Sequence, residues 1–125
     1  MGSPEADEPS GVEVNGFTAV LERAGSALVL VVAGEVDMIT APTLEDRITE
    51  ACTEAPSVVV IDLAEVRFLS SMGIAALVFA HMRAPADTAV RIVADGPATA
   101  GVLTMMGVDR TLPLYRTRAE ALADG

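Results

Sequence analysis

Apolar and polar residues alternate near the start of the chain in a pattern that predicts a β-hairpin. Hydrophobic side chains occupy every second position from Phe17 to Leu21, which is typical of a strand with one face in the core. Gly25-Ser26 offers a turn, and a second apolar run follows over Leu28–Ala33. We therefore predict that these two runs pair as neighbouring strands.

Two later stretches carry apolar residues at helical spacing. The first lies between Thr40, a candidate N-cap, and Pro56, which cannot continue a helix. The second runs from about Ser71 to Arg83 and is apolar almost all round. The apolar stripe of the first helix consists of Leu44, Ile48, Ala51 and Cys52.

A continuous β-branched run over Ser57–Ile61 separates these helices. Such a run is typical of a strand covered on both faces, and strands of that kind are usually central and parallel. A further apolar strand is predicted over Ala89–Ala94, and Asp95-Gly96-Pro97 opens a third helix that Gly107 closes.

The chain ends with a short predicted strand over Leu112–Tyr115 and a helix whose start, Thr117–Glu120, matches a capping box. The element order is ββαβαβα(β)α. Alternating strands and helices require right-handed crossovers, which place the strands side by side in one sheet. The predicted fold class is therefore α/β, with a single mixed, mostly parallel sheet and packed helices.

Length and composition fit one domain. The chain has 125 residues, and 51% of them are hydrophobic, enough for a substantial core. Residues 1–14 contain four acidic residues, no basic one and several Pro, Gly and Ser residues, a composition that is typical of disorder. We expect a disordered acidic tail over residues 1–14 and a folded domain over residues 15–125.

The net charge, the absence of Lys and the length of the apolar stretches exclude several functions and partners. The net charge is −10, and all eight basic residues are Arg. Without Lys there is no Walker A loop and no Schiff-base chemistry, and a scattered set of Arg residues on an acidic background disfavours nucleic acid. No apolar stretch approaches the roughly 20 residues that a membrane helix needs, and no signal peptide is visible. We expect a cytoplasmic protein without nucleic-acid or membrane partners.

Metal, cofactor and hydrolase sites are not expected. Cys52 and His81 are the sole residues of their types, so the sequence has no Cys and His spacing typical of a metal site. We predict that Cys52 is a small buried hydrophobic residue. A Ser–His hydrolase would need Ser71 and His81 in contact, but ten residues of helix separate them by about 15 Å. We predict that the chain is not an enzyme.

One segment, Val60–Ile74, carries a signature. It resembles the signature of the STAS domain, and specifically of the bacterial anti-sigma factor antagonists, in which an Asp-Leu pair is followed by an aromatic residue and then by Asp-Ser-Ser/Thr-Gly-Leu. The segment Gly34–Asp37 matches the other recurring stretch of that family, and the element order agrees over residues 17 to 124.

The resemblance implies a reversible switch. The unmodified antagonist binds an anti-sigma factor that is also a serine kinase and so releases a sigma factor; phosphorylation by that kinase ends the interaction, and a serine phosphatase reverses it. Aligning Phe68, Gly73 and Ile74 with the family pattern makes Ser71 the phosphoacceptor, with Ser70 as the alternative. Ser70 stands where Asp is usual, which favours a second reading: a phosphorylation-independent STAS interaction or sensor module in a larger signalling complex.

The second helix has two apolar faces, and the face formed by Met72, Ala76 and Phe79 either packs under a neighbouring helix or meets a partner. Asp37 and Asp62 fall near strand ends, so we expect both to lie close to the Ser71 loop. The residues predicted to contact a partner are Asp37, Ser70, Ser71, Met72, Gly73 and Phe79.

Overall fold

The structure is a computed structural model that describes residues 10–123 of the chain. Its strands are β1 Ser10–Val14, β2 Phe17–Ala24, β3 Ala27–Val36, β4 Val58–Leu69, β5 Ala89–Val93 and β6 Leu114–Tyr115. Its helices are α1 Ala41–Thr53, α2 Ser71–Arg83, α3 Val102–Met105 and α4 Arg118–Ala123. A π-helical turn over Pro97–Gly101 leads into α3, and a 3-10 turn over Val108–Arg110 follows it.

The six strands form one sheet in which neighbours in the chain are neighbours in space. β1, β2 and β3 pair antiparallel, whereas β3, β4, β5 and β6 pair parallel. The predicted single mixed, mostly parallel α/β sheet is therefore confirmed, as are the hairpin of β2 and β3 and the central position of β4.

One side of the sheet carries the main core. Ile61 of β4 packs there with Leu44 and Ile48 of α1, Leu77 of α2 and Leu103 of α3, and all five side chains are fully buried. Because residues of a strand point alternately to the two sides of a sheet, the neighbours of Ile61 face the other way. Burial of these apolar side chains stabilises the fold and fixes α1 and α2 on the same side.

The other side of the sheet is covered by α4. Val60 of β4 packs there with Ala121 of α4. The Arg118 guanidinium donates to Asp62 over 3.1 Å and to Glu22 over 3.1 Å, which ties the start of α4 to β4 and β2. The expected double coverage of the central strand is confirmed.

The prediction of a disordered tail over residues 1–14 is wrong for the last five of these residues. Ser10–Val14 form β1, in which Val12 lies opposite Ala19 and Val14 opposite Phe17. The acidic composition hid this strand because pairing with β2 satisfies the backbone hydrogen bonds whatever the side chains are. The rest of the expected tail, residues 1–9, lies outside the described part of the chain.

The central strand is also longer than predicted. The sequence indicated a strand that ends at Ile61 and a loop before α2, but β4 continues as far as Leu69. Two register irregularities in the pairing of β3 with β4 accommodate this length. At the second of them Gly34 has φ +100°, and a Cβ there would lie 2.7 Å from the carbonyl oxygen of Gly16, so only glycine fits.

Candidate functional site

The start of α2 is held at the carboxyl ends of β3 and β4. The Ser70 N–H donates to the Val36 carbonyl over 2.8 Å, which continues the pairing of the two strands by one residue. The Ser70 hydroxyl accepts from the Gly73 N–H over 3.2 Å, so Ser70 is the N-cap of the helix. This finding assigns the Ser70 side chain a structural role.

Ser71 is the first residue of α2, and its side chain is exposed. Within residues 10–123 its hydroxyl has no hydrogen-bond partner, whereas the hydroxyl of Ser70 is engaged in the cap. The backbone N–H groups of a first helical turn and the helix dipole favour negative charge at such a position. Of the two serines, Ser71 is therefore the one whose hydroxyl is exposed and makes no hydrogen bond within the described residues.

Gly73 allows α2 to approach the sheet closely. A Cβ on Gly73 would lie 2.6 Å from Cγ1 of Val36 and 2.8 Å from Cδ1 of Leu69, both closer than van der Waals contact. Gly73 is also buried. Gly73 therefore positions the helix from beneath, and its contact with a partner stays a prediction.

Asp37 organises the turn between β3 and α1. Its carboxylate accepts from the N–H of Ile39 over 2.9 Å and from that of Thr40 over 3.0 Å. These backbone hydrogen bonds, that of Thr40 foremost, lower the pKa of Asp37 from its usual value. Thr40 occupies the N-cap position of α1, but its side chain caps no helical N–H and instead donates to the Glu35 carbonyl over 2.8 Å. The capping role predicted for the Thr40 side chain is wrong.

Asp37 thereby presents two apolar side chains that sequence reasoning missed. Met38 is 71% exposed and Ile39 60% exposed. The turn that carries them begins after Val36, whose carbonyl accepts from the Ser70 N–H. It ends before Ala41, which lines a surface groove together with Met72 of α2. The available signal was the apolar pair itself, since polar residues are usual in such turns.

The second apolar face of α2 is partly covered and partly open. Ala76 is buried against the core, whereas Met72 is 49% and Phe79 46% exposed. Packing under a neighbouring element is therefore confirmed for Ala76, and contact of Met72 and Phe79 with a partner stays a prediction.

A groove of about 180 Å³, here called the α1–α2 groove, runs along this face. The Arg83 guanidinium lies 5.7 Å from the centre of the Phe79 ring and donates to Glu45 over 2.6 Å, at the end of α2 away from Ser71. The groove is lined by Ala41, Pro42, Glu45, Asp46, Met72, Ala75, Ala76 and Phe79.

Asp62 does not belong to this site. It pairs in register with Val31 and Val93 in the middle of the sheet, and its carboxylate binds Arg118. Because β4 runs seven residues further at about 3.3 Å each, Asp62 and the end of the strand are roughly 20 Å apart. The expectation that Asp62 lies near Ser71 is wrong.

Other groups of interest lie elsewhere. Cys52 is buried in the main core, as predicted, and burial raises the pKa of its thiol. No three His, Cys, Asp or Glu side chains among residues 10–123 are grouped so that they could hold a metal ion. No helix of that part of the chain is long and apolar enough to cross a membrane.

The family model of the STAS domain matches residues 18–121. The chain belongs to the STAS domain family. The anti-sigma-F factor antagonist RsfB of Mycobacterium tuberculosis is 34% identical over 106 residues, which cover 85% of this chain and 87% of RsfB. RsfA of the same organism, also an anti-sigma-F factor antagonist, is 28% identical over 112 residues, or 87% and 88% of the two chains.

Solved structures agree with this assignment. The crystal structure of an anti-sigma factor antagonist from Mycobacterium paratuberculosis superposes with a TM-score of 0.79 at 34% identity, covering 98% of this chain and 96% of that one. The resemblance of this STAS domain to the anti-sigma factor antagonists is thus confirmed at the level of both sequence and fold.

Proposed function

We propose that this STAS protein is a cytoplasmic anti-sigma factor antagonist that acts by binding and not by catalysis. Its partner is an anti-sigma factor that is also a serine kinase. Binding of the unmodified chain releases the sigma factor, phosphorylation of Ser71 ends the interaction, and a serine phosphatase restores the binding form.

The arrangement of Ser70 and Ser71 is the observation that carries the proposal. Ser70 is committed to the N-cap, and Ser71 presents an unbonded, exposed hydroxyl one residue later. Ser and Asp are both strongly preferred at N-caps, so Ser70 supplies what the usual Asp of the family supplies structurally. The departure from the family pattern is thus compatible with Ser71 as the acceptor.

The surroundings of Ser71 explain why a phosphate would end binding. Exposed Met72 follows Ser71 directly, and exposed Met38 and Ile39 lie in the turn after Val36, whose carbonyl accepts from the Ser70 N–H; such apolar side chains are suited to a protein contact. A phosphate adds about −1.5 to −2 charges, which would have to be desolvated against that contact. The fold should survive, because the first turn of α2 favours negative charge.

The first test is titration calorimetry of wild type and Ser71→Glu against the cognate anti-sigma factor kinase. We expect Ser71→Glu to fold normally and to bind more weakly by about 2 to 5 kcal/mol, or roughly 30-fold and upward, because its charge is mispaired in the contact. The control is Ser26→Glu, which places the same charge in the exposed turn just before β3 begins, at the end of that strand away from Ser71. It removes a hydrogen bond to Ser57 but should bind as wild type. Equal binding by folded Ser71→Glu would favour the phosphorylation-independent module.

The second test maps the modified residue. After incubation with the kinase and ATP, we expect wild type and Ser70→Ala to take up phosphate and Ser71→Ala to take up none. Phosphopeptide mapping identifies the serine. Full phosphorylation of Ser71→Ala together with none of Ser70→Ala would show that Ser70 is the acceptor.

A further inference from the structure

We infer that the α1–α2 groove seats one apolar side chain of the anti-sigma factor, next to a basic side chain of the same partner that pairs with Asp46. The inference rests on the proposed function and adds the chemistry of the partner segment. It makes the groove a specificity element separate from the phosphoacceptor.

The shape of the groove fits a single large side chain. On α2 its walls are the half-exposed side chains of Met72 and Phe79, which lie two helical turns apart. The small side chains of Ala75 and Ala76 lie between them. A cavity of ~150 Å³ holds a benzene-sized group, so a groove of about 180 Å³ has room for one Leu, Met or Phe side chain.

The charges at the rim determine what accompanies that side chain. Glu45 already pairs with Arg83 over 2.6 Å. Asp46 is exposed and has no ion pair or hydrogen bond within the described residues. A partner that fills the groove covers the surroundings of Asp46, so a Lys or Arg beside the apolar side chain is favoured. The net charge of −10 attracts a basic segment at longer range as well.

A second copy of this chain fits the groove less well. In a two-fold dimer the same patch meets itself, which would bring two acidic rims, each with an unpaired Asp46, towards each other. The groove is also continuous with the surface of the proposed switch, because Met72 follows Ser71 directly. The occupant is therefore the protein that contacts Ser71.

The test compares variants by titration calorimetry against the same anti-sigma factor kinase. Asp46→Arg reverses the rim charge and Ala75→Leu fills the groove, and each should weaken binding about tenfold or more. Glu120→Arg and Ala119→Leu make the same changes at exposed positions of α4 on the other side of the sheet, and they should bind within about twofold of wild type. Asp46→Asn should reduce the salt dependence of the affinity.

The outcomes separate this inference from the proposed function. If Ser71→Glu loses binding while folded Asp46→Arg and Ala75→Leu bind as wild type, the groove is not a docking site and the switch stands. If wild type binds no such kinase, both proposals fail. If gel filtration shows a wild-type dimer that Ala75→Leu abolishes, the occupant is a second copy and the inference is overturned.

Discussion

Close packing beneath α2 controls the position of the candidate site at the scale of single residues. Gly73 lies against Val36 and Leu69, the two residues at which β3 and β4 end. A side chain there would push the first turn of the helix outward, and with it Ser71 and Met72. The exposed residues of the site thus depend on one buried residue that contributes no side chain at all.

The first prediction at this scale concerns Gly73→Ala. We expect the free energy of unfolding to fall by about 1 to 3 kcal/mol, because the added methyl group overpacks the contact. Gly101→Ala is the control, since its nearest neighbours would be 3.8 Å away, and it should be neutral or slightly stabilising. Urea unfolding measures both, and an unchanged midpoint for Gly73→Ala would mean that α2 shifts without cost.

At the scale of elements, α4 is attached to the sheet by few side chains. It has six residues, and its apolar contribution centres on Ala121. Arg118 is 39% exposed, but its partner Asp62 is only 9% exposed. A short helix has little stability of its own. The ion pairs of Arg118 with Asp62 and Glu22, the hydrogen bond that Arg91 donates to the Ala121 carbonyl over 2.8 Å and the small apolar contact together hold it in place.

Loss of that attachment should be measurable. Arg118→Ala leaves the carboxylate of Asp62 buried without its cation, which we expect to cost about 1 to 3 kcal/mol of unfolding free energy. Arg116→Ala removes an exposed neighbouring guanidinium and should change the stability by less than about 0.5 kcal/mol. Thermal unfolding followed by circular dichroism compares the two, and equal midpoints would contradict a stabilising role for the ion pair.

The elements predicted well from the sequence are those whose pattern is set by burial. α2 has the predicted bounds, and β2 and β3 form the predicted hairpin, because their apolar periodicity follows the core directly. β1 and the second half of β4 were missed. Glu65 and Arg67 are exposed in β4, so their polarity resembled that of a loop, and backbone pairing with β3 decided the structure instead.

The candidate site was predicted in part for the same reason. The signature and the capping preference place Ser70, Ser71 and Met72 at a helix start from local sequence alone. The roles of Gly73 and Asp62 depend on which residues β3, β4 and α4 bring near them, which no local pattern contains. That Met38 and Ile39 follow the residue that pairs with Ser70 depends likewise on how β3 and β4 end side by side.

At the scale of the whole molecule, one apolar cluster connects most of the elements. It includes residues from β2, β3, β4 and β5 and from α1, α2 and α3. A domain of this size with a core shared by most of its elements typically unfolds in one step. Cys52 belongs to it and is 6% exposed, so its thiol reports on the integrity of the core.

We predict that Cys52 stays unreactive towards a thiol reagent until the domain unfolds. Its burial blocks access, and its raised pKa reduces the fraction of reactive thiolate. With increasing urea, the midpoint for labelling in short pulses should coincide with the midpoint from circular dichroism. Labelling of the native protein at the rate of a free thiol would show that the region around Cys52 opens separately.

The capping of α2 by Ser70 bears on how proteins of this kind are found. Any pattern that demands an acidic residue at this point would pass over the present chain, although the local geometry is complete. The physical requirement is a short side chain with an oxygen that accepts from the third residue of the helix, and Ser, Thr, Asp and Asn all meet it. A sequence pattern that allows any of these four residues at the N-cap, followed by a serine and by a glycine two positions after that serine, includes this chain.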